Sequence, residues 1–356
     1  MADARVPLIR FKFDGIPIDL PYAKLNAISV PENVDVFNSL FLININEICW
    51  RSLSGVRANK SILQHVPNLQ VYQSLLRCVK FWAKRRGIYG HAQGFFGGIH
   101  LAVLAAFVCR RQPHAHLITL VLIFFQTFAS WPWPMPVVLE DGVMPLPPNN
   151  ISILMPIQLP SSPNEYCYSN MIRSTVYRIR QEFIDAHALT KEILRPEFDW
   201  KILFEPFPYV KMYARFLKIR LSCPREDELG GWVGKVKSRM RCLLIKLEEL
   251  QGFCDPNPTE YVDINIKEPN KVFYWGLCPG RSCNMNIDSI RKDFMMNIFT
   301  GCEGPIGRLE LKVVKASEVP IQKTNMGSRG SRRNIVYMPQ NFVGCLAGNG
   351  NVGCVS

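Results

Sequence analysis

The chain has 356 residues, 48% of them hydrophobic, which is enough to bury ample core, and its length suggests two or three domains. Its 42 Lys and Arg outnumber 29 Asp and Glu, and the net charge of +13 favours an anionic partner, nucleic acid before membrane. The longest apolar run, "LITLVLIFF", is about half of the ~20 residues a helical span needs, secretion is not expected, and the 12 cysteines include no C-x-x-C pair, which argues against a disulfide scaffold or a zinc module.

The first predicted element is a hairpin. "PLIRFKF" is rich in β-branched and aromatic residues, Asp14-Gly15 is a two-residue turn signal, and "IPIDL" returns as the second strand. Alternation puts Ile16, Ile18 and Leu20 on one face and Asp19 on the other. Helical patterns follow in "SILQHVPNLQVYQSLLRCVKFWAKRR", "GIHLAVLAAFVCRR", "HLITLVLIFFQTFAS" and "SNMIRSTVYRIRQEFIDAHALTKEIL", with a Pro-rich excursion from Trp131 to Pro163. "LITLVLIFF" reads as a buried core helix.

The next elements alternate in type. "ARFLKIRLS" sets Leu217, Ile219 and Leu221 against Lys218 and Arg220. Val233, Val236, Met240, Leu243, Leu244 and Leu247 then recur at helical spacing. "YVDINIKE" reads as a strand, "KVFYWGL" as an inner strand, "IDSIRKDFMMNIF" as a helix and "RLELKVVKAS" as a last strand. The order β-α-β-β-α-β is that of the split βαβ sandwich used by many RNA-recognition modules. It lacks an aromatic RNP-type strand, so base stacking on this sheet is not expected. From about residue 321 the chain is basic and then Gly- and Asn-rich, and is expected to be disordered.

Several motifs stand in a fixed order: "RFKFDGIPIDLPYA", "RSLSGVRANKSILQHVPN", "LRCVKFWAKRRGIYG", "GFFGGIHLAVLAAFVCRRQP", "WPWPMPVVL" and "LMPIQLPSSP". Segment by segment they resemble the eukaryotic poly(A) polymerases, and "CDPNPTEYVD" looks most like the plant members. The resemblance runs from about Val6 to Pro320. It implies an α+β chain: residues 1–26 as a remnant of a polymerase-β-type nucleotidyltransferase sheet, 27–205 as a helical central domain, 206–320 as an RRM-like, ferredoxin-like RNA-binding domain, and 321–356 as a tail. It also implies template-independent transfer of AMP from ATP to an RNA 3′ end, two Mg²⁺ or Mn²⁺ ions, cleavage and polyadenylation factors as partners, and residence in the nucleus, with the cytoplasm left open.

In that family "FDGIxID" carries the last of three carboxylates that hold the metals. Asp19 matches it, as catalytic and metal-binding residue. The other two belong to a D-x-D pair after a Gly-Ser turn, and no such pair occurs in this sequence. Lys80 and Tyr89 match residues that contact the nucleotide, and Gly98 and Ile99 match a Gly-Val that packs on it. Lys80 and Lys84 lie four apart on one helix face, with Arg77 a turn earlier. Three positions depart from the family: His91 stands where Tyr-x-Asn has its amide, Ser54 replaces the Asn of Ser-Leu-Asn-Gly, and Leu101 replaces a Trp. Two readings stay open. One is a polynucleotide adenylyltransferase; the other is a non-catalytic RNA- or nucleotide-binding relative, a truncated isoform or an incomplete gene model. Because two carboxylates are missing, the chain is expected to be inactive alone.

Overall fold

The computed structural model describes residues 8–25, 29–32, 34–38, 42–140, 153–160, 165–167, 169–278, 286–299 and 307–320. The tail from 321 on, expected to be disordered, lies outside the described residues, as do residues 141–152 of the Pro-rich excursion. The fold is α+β, with two antiparallel sheets and a group of helices between them in sequence.

Strands β1 (Leu8–Phe13) and β2 (Ile16–Pro21) close around Asp14 and Gly15, whose φ values of 49° and 73° supply the left-handed pair that a two-residue hairpin requires. The register sets Ile9 opposite Leu20, Phe11 opposite Ile18 and Phe13 opposite Ile16. Cross-strand neighbours share a face, so these six apolar side chains form one surface. Phe13 and Ile16 at its tip are 68% and 63% exposed. Asp19 sits on the other face, opposite Arg10, and is exposed.

Helix α1 (Glu47–His65) starts where Asn46 Oδ1 accepts the Cys49 N–H at 2.8 Å, and α2 (Leu69–Arg85) starts where Asn68 Oδ1 accepts the Val71 N–H at 3.1 Å. The single helical run expected across "SILQHVPNLQVYQ" is therefore two helices. Pro67 lacks an N–H and forces Val66 into an extended conformation (φ −92°, ψ 127°), which ends α1. Helices α3 (Gly98–Arg111), α4 (Leu117–Ala129) and α5 (Arg173–Thr190) pack with α2 around an aromatic centre. The Trp82 ring meets Phe125 edge-on at 4.8 Å and stacks on Phe183 at 5.4 Å. Leu120, Val121, Phe124, Phe125 and Phe128 of α4 are buried, as a core helix requires. The described part of the excursion folds back on itself: the Val137 N–H donates to the Pro156 carbonyl at 3.0 Å and the Gln158 N–H to the Val137 carbonyl at 2.9 Å.

Short helices α6 (Trp200–Leu203) and α7 (Tyr209–Met212) lead into the second sheet. Its elements are β3 (Arg215–Ser222), α8 (Glu226–Gln251), β4 (Cys254–Asp255), β5 (Asn270–Leu277), α9 (Ile287–Phe299) and β6 (Arg308–Lys315), with strand order β4-β5-β3-β6. That is the strand order of a split βαβ unit. One strand differs from expectation. "YVDINIKE" is not a strand: Tyr261 alone bridges to Val272, and the two-residue β4 takes the place beside β5. Side chains capture this backbone instead. Asp263 Oδ1 accepts the Asn265 N–H at 3.2 Å, and Asn270 Nδ2 donates to the carbonyls of Asp263 and Glu268 at 3.1 and 2.9 Å, locking a turn ahead of Pro269.

Leu217, Ile219 and Leu221 of β3 face α8 and α9 in one core with Trp232, Met240 and Phe294. The opposite face of the sheet is covered as well. Phe216, Val272, Tyr274 and Val314 pack with Tyr213 and Phe253, and Tyr177, Phe207, Tyr209 and Tyr261 lie against them. Gly276 of β5 makes room for the Tyr213 ring, since a Cβ there would stand 2.3 Å from its Cδ2. Gly276→Ala is accordingly expected to destabilise the chain by about 1–3 kcal/mol through overpacking, seen as a lower urea midpoint at unchanged slope.

Candidate nucleotide-binding site

Lys80, Tyr89, Gly98 and Ile99 come from α2, the loop behind it and the first turn of α3, and all four are half-buried. The loop is short and tied at both ends. Gly87 turns at φ +71°, the Ile88 N–H donates to the Ala83 carbonyl at 2.9 Å, and Tyr89 bridges to Phe96 through the Phe96 N–H to Ile88 carbonyl bond of 3.3 Å and the Gly90 N–H to Phe96 carbonyl bond of 3.1 Å. This fixes Tyr89 over the start of α3. A Cβ built on Gly98 would lie 3.5 Å from the Tyr89 hydroxyl and 3.7 Å from Lys80 Nζ. The three residues thus meet at one point, around a helix start that presents backbone N–H groups. Lys84 Nζ stands 5.4 Å from the Tyr89 ring centroid. No carboxylate pairs with Lys80 among the described residues, so its charge is available to a ligand.

Ile99 follows Gly98 on α3 and packs against the helical core. Asp19 belongs to the separate two-stranded sheet. Among the described residues no three His, Cys, Asp or Glu side chains converge closely enough to hold a metal ion. These donors do not fit a two-metal centre, which needs several carboxylates around a pair of ions about 3.5–4 Å apart. The departures from the family have clear surroundings. Ser54 Oγ donates to the Arg51 carbonyl at 2.7 Å within α1, and Leu101 is buried in the helical core. The His91 carbonyl accepts Asn170 Nδ2 at 3.2 Å, its ring lies 6.1 Å from that of His100, and His100 Nδ1 accepts the Gly97 N–H at 3.1 Å.

Behind this loop lies a buried ionic cluster. Glu182 of α5 is held by Arg178 and by Arg86, whose Nη2 donates at 3.0 Å; Arg178 Nε donates to Asp255 Oδ2 at 3.2 Å, and its Nη2 donates to the Arg86 carbonyl at 2.9 Å. The Tyr213 hydroxyl donates to Asp255 Oδ2 at 2.7 Å, and the Tyr209 hydroxyl to the Gly87 carbonyl at 3.3 Å. The cluster therefore ties β4 to the end of the helix that carries Lys80. Burial pushes the Asp255 carboxyl and the Tyr213 hydroxyl upward; burial acts the same way on Glu182, but the guanidinium groups of Arg178 and Arg86 hold it below its ordinary range. None of these residues stands out in the sequence, because Arg178 and Glu182 resemble any i,i+4 pair on a helix surface and Asp255 lies in a Pro-rich turn.

A basic side chain, a tyrosine hydroxyl and a bare backbone at a helix start are groups from which phosphate- and nucleotide-binding sites are built. Comparison with known proteins narrows the class. Residues 1–66 match the model of the poly(A) polymerase nucleotidyltransferase domain, and residues 71–206 match that of the poly(A) polymerase central domain. The chain is 56% identical over 323 residues to nuclear poly(A) polymerase 3 of Arabidopsis thaliana, covering 89% of this chain and 63% of the relative. It is 37% identical to nuclear poly(A) polymerase 1 of the same plant and 35% identical to the poly(A) polymerase of Dictyostelium discoideum, covering 73% and 75% of this chain but 38% and 34% of those proteins. The chain belongs to the poly(A) polymerase family, and it spans less than two thirds of the length of these relatives.

Proposed function

We propose that the chain binds ATP at the Lys80–Tyr89–Gly98 site and belongs to the machinery of template-independent adenylation of RNA 3′ ends in the nucleus, inactive alone, with cleavage and polyadenylation factors as partners. The observation that carries this reading is the meeting of Lys80 Nζ and the Tyr89 hydroxyl at the bare backbone of Gly98. In this reading Lys80 meets the triphosphate, Tyr89 and Ile99 position the nucleoside, and Gly98 lets it approach the backbone. In the same reading residues 1–26 belong to a polymerase-β-type nucleotidyltransferase sheet with Asp19 as its candidate metal-binding carboxylate, 27–205 form the helical domain, 206–320 an RRM-like RNA-binding domain and 321–356 a tail. The relatives' names support the nuclear assignment. No helix among the described residues is long and apolar enough to cross a membrane.

Lys80→Ala is expected to weaken ATP binding about ten- to a hundred-fold, the worth of one charge-assisted contact at roughly 1.5–3 kcal/mol. Equilibrium titration of the full chain with a fluorescent ATP analogue reads this directly. Unchanged affinity would remove Lys80 from the site. A second reading, nucleotide and RNA binding without turnover, is favoured by the single matching carboxylate, Asp19.

A further inference from the structure

Among the described residues, four side chains of Arg, Asp and Glu are buried: Arg57, Arg178, Glu182 and Asp255. The last three neutralise one another. Arg57 of α1 does not join them. Only 9% exposed, its guanidinium carbon lies 4.4 Å from the Trp50 ring centroid and 5.7 Å from that of Phe37, and its buried Nε has no hydrogen-bond partner. The carboxylate two residues before Phe37 is already taken: Asp35 accepts Lys60 Nζ at 2.8 Å.

An aromatic face attracts the charge of a guanidinium but leaves its in-plane N–H fork unfilled, and that fork matches the oxygens of a phosphate. Lys60 Nζ also stands near the Phe37 ring, at 5.5 Å, so two cations flank one ring, and of the two it is Lys60 that Asp35 holds. Cations interleaved with aromatic faces are the composition of single-strand nucleic-acid platforms, where charge takes the backbone and rings take the bases. Phe37 and Trp50 are half-buried. Trp50, Ser54 and Arg57 follow at helical spacing along one side of α1.

We infer that Arg57, braced on Trp50, is a phosphate-binding residue, and that this side of α1 receives a backbone phosphate of the single-stranded RNA. The choice of RNA rests on the proposed function; the phosphate chemistry does not.

The full chain, Arg57→Met and Arg57→Lys are compared by anisotropy with labelled oligo(A), by ATP titration and by thermal melting. Arg57→Met fills the space over Trp50 without charge. It is expected to bind oligo(A) about tenfold or more weakly, with a salt slope smaller by about 0.7, at unaltered ATP affinity and melting temperature. Arg57→Lys keeps the slope but binds severalfold more weakly, since an ammonium cannot make the bidentate contact. Loss of ATP affinity alone would assign the phosphate to the nucleotide and overturn the RNA assignment. Unaltered affinity of both variants for both ligands would make Arg57 a packing residue and overturn the inference. Should Arg57→Met fail to fold, the Arg57→Lys affinities decide in the same way. If the unaltered chain binds no oligo(A), it is the proposed function that fails, and inorganic tripolyphosphate, bound by the unaltered chain but not by Arg57→Met, then tests the anion site alone.

Discussion

The 356-residue chain is expected to extend an oligo(A) primer no faster than a protein-free control, even in saturating Mn²⁺. In-line attack on a triphosphate needs metals to neutralise its charge and activate the hydroxyl, and a pair of ions needs several carboxylates to hold it. The sequence offers Asp19 at the end of its hairpin but no D-x-D after a Gly-Ser turn, and among the described residues no other set of side chains makes up the deficit. The proposed nucleotide half of the site is differently placed, since Lys80, Tyr89 and Gly98 already meet. The expected result is therefore binding without turnover: ATP saturates the chain while a denaturing gel shows no primer growth. Tailing that depends on protein concentration and survives Asp19→Ala would show that a different set of residues does the chemistry.

The second large effect is on stability. Glu182→Ala leaves Arg178 buried beside Asp255 with one fewer counter-charge and removes the carboxylate that also holds Arg86. Breaking a buried pair from one side costs about 3–5 kcal/mol, which thermal or denaturant unfolding resolves easily. The same residue sets a pH dependence. Its folded-state carboxyl is held below its ordinary 4.5, so its contribution is complete above that value and is lost as the pH falls through the depressed folded value. Asp255 has the opposite sign: burial raises it above 3.8, and its contribution, present at low pH, is lost as the pH rises through the raised value. Glu182→Gln should remove the acid-side loss of stability while leaving the Asp255 component. A variant with wild-type stability and wild-type acid sensitivity would show that the cluster contributes little.

Legibility in the sequence followed the range of the interactions. Asp14-Gly15, the alternation of β3 and the apolar face of α8 are local signals, and each stands where its pattern puts it. Lys80, Tyr89 and Gly98 belong to separate segments that only a motif order could associate, and the folded loop brings them to one point. "YVDINIKE" misled because alternation says nothing of side chains that capture the backbone, as Asp263 and Asn270 do. The cluster at Arg178 was invisible for a different reason. A charge on a helix looks solvated until another part of the chain, here β4 and Phe207, is folded over it.

The covered face of the second sheet has a consequence for how the molecule comes apart. Tyr177 of α5 meets Phe253 edge-on at 5.8 Å, and Phe207 and Tyr209, which precede β3, pack with the sheet residues Phe216 and Tyr274. A cut near residue 206 runs through this shared apolar layer and strands its two halves on different fragments. The helices and the sheet behind them are thus expected to unfold together, even though the sequence reads as two modules.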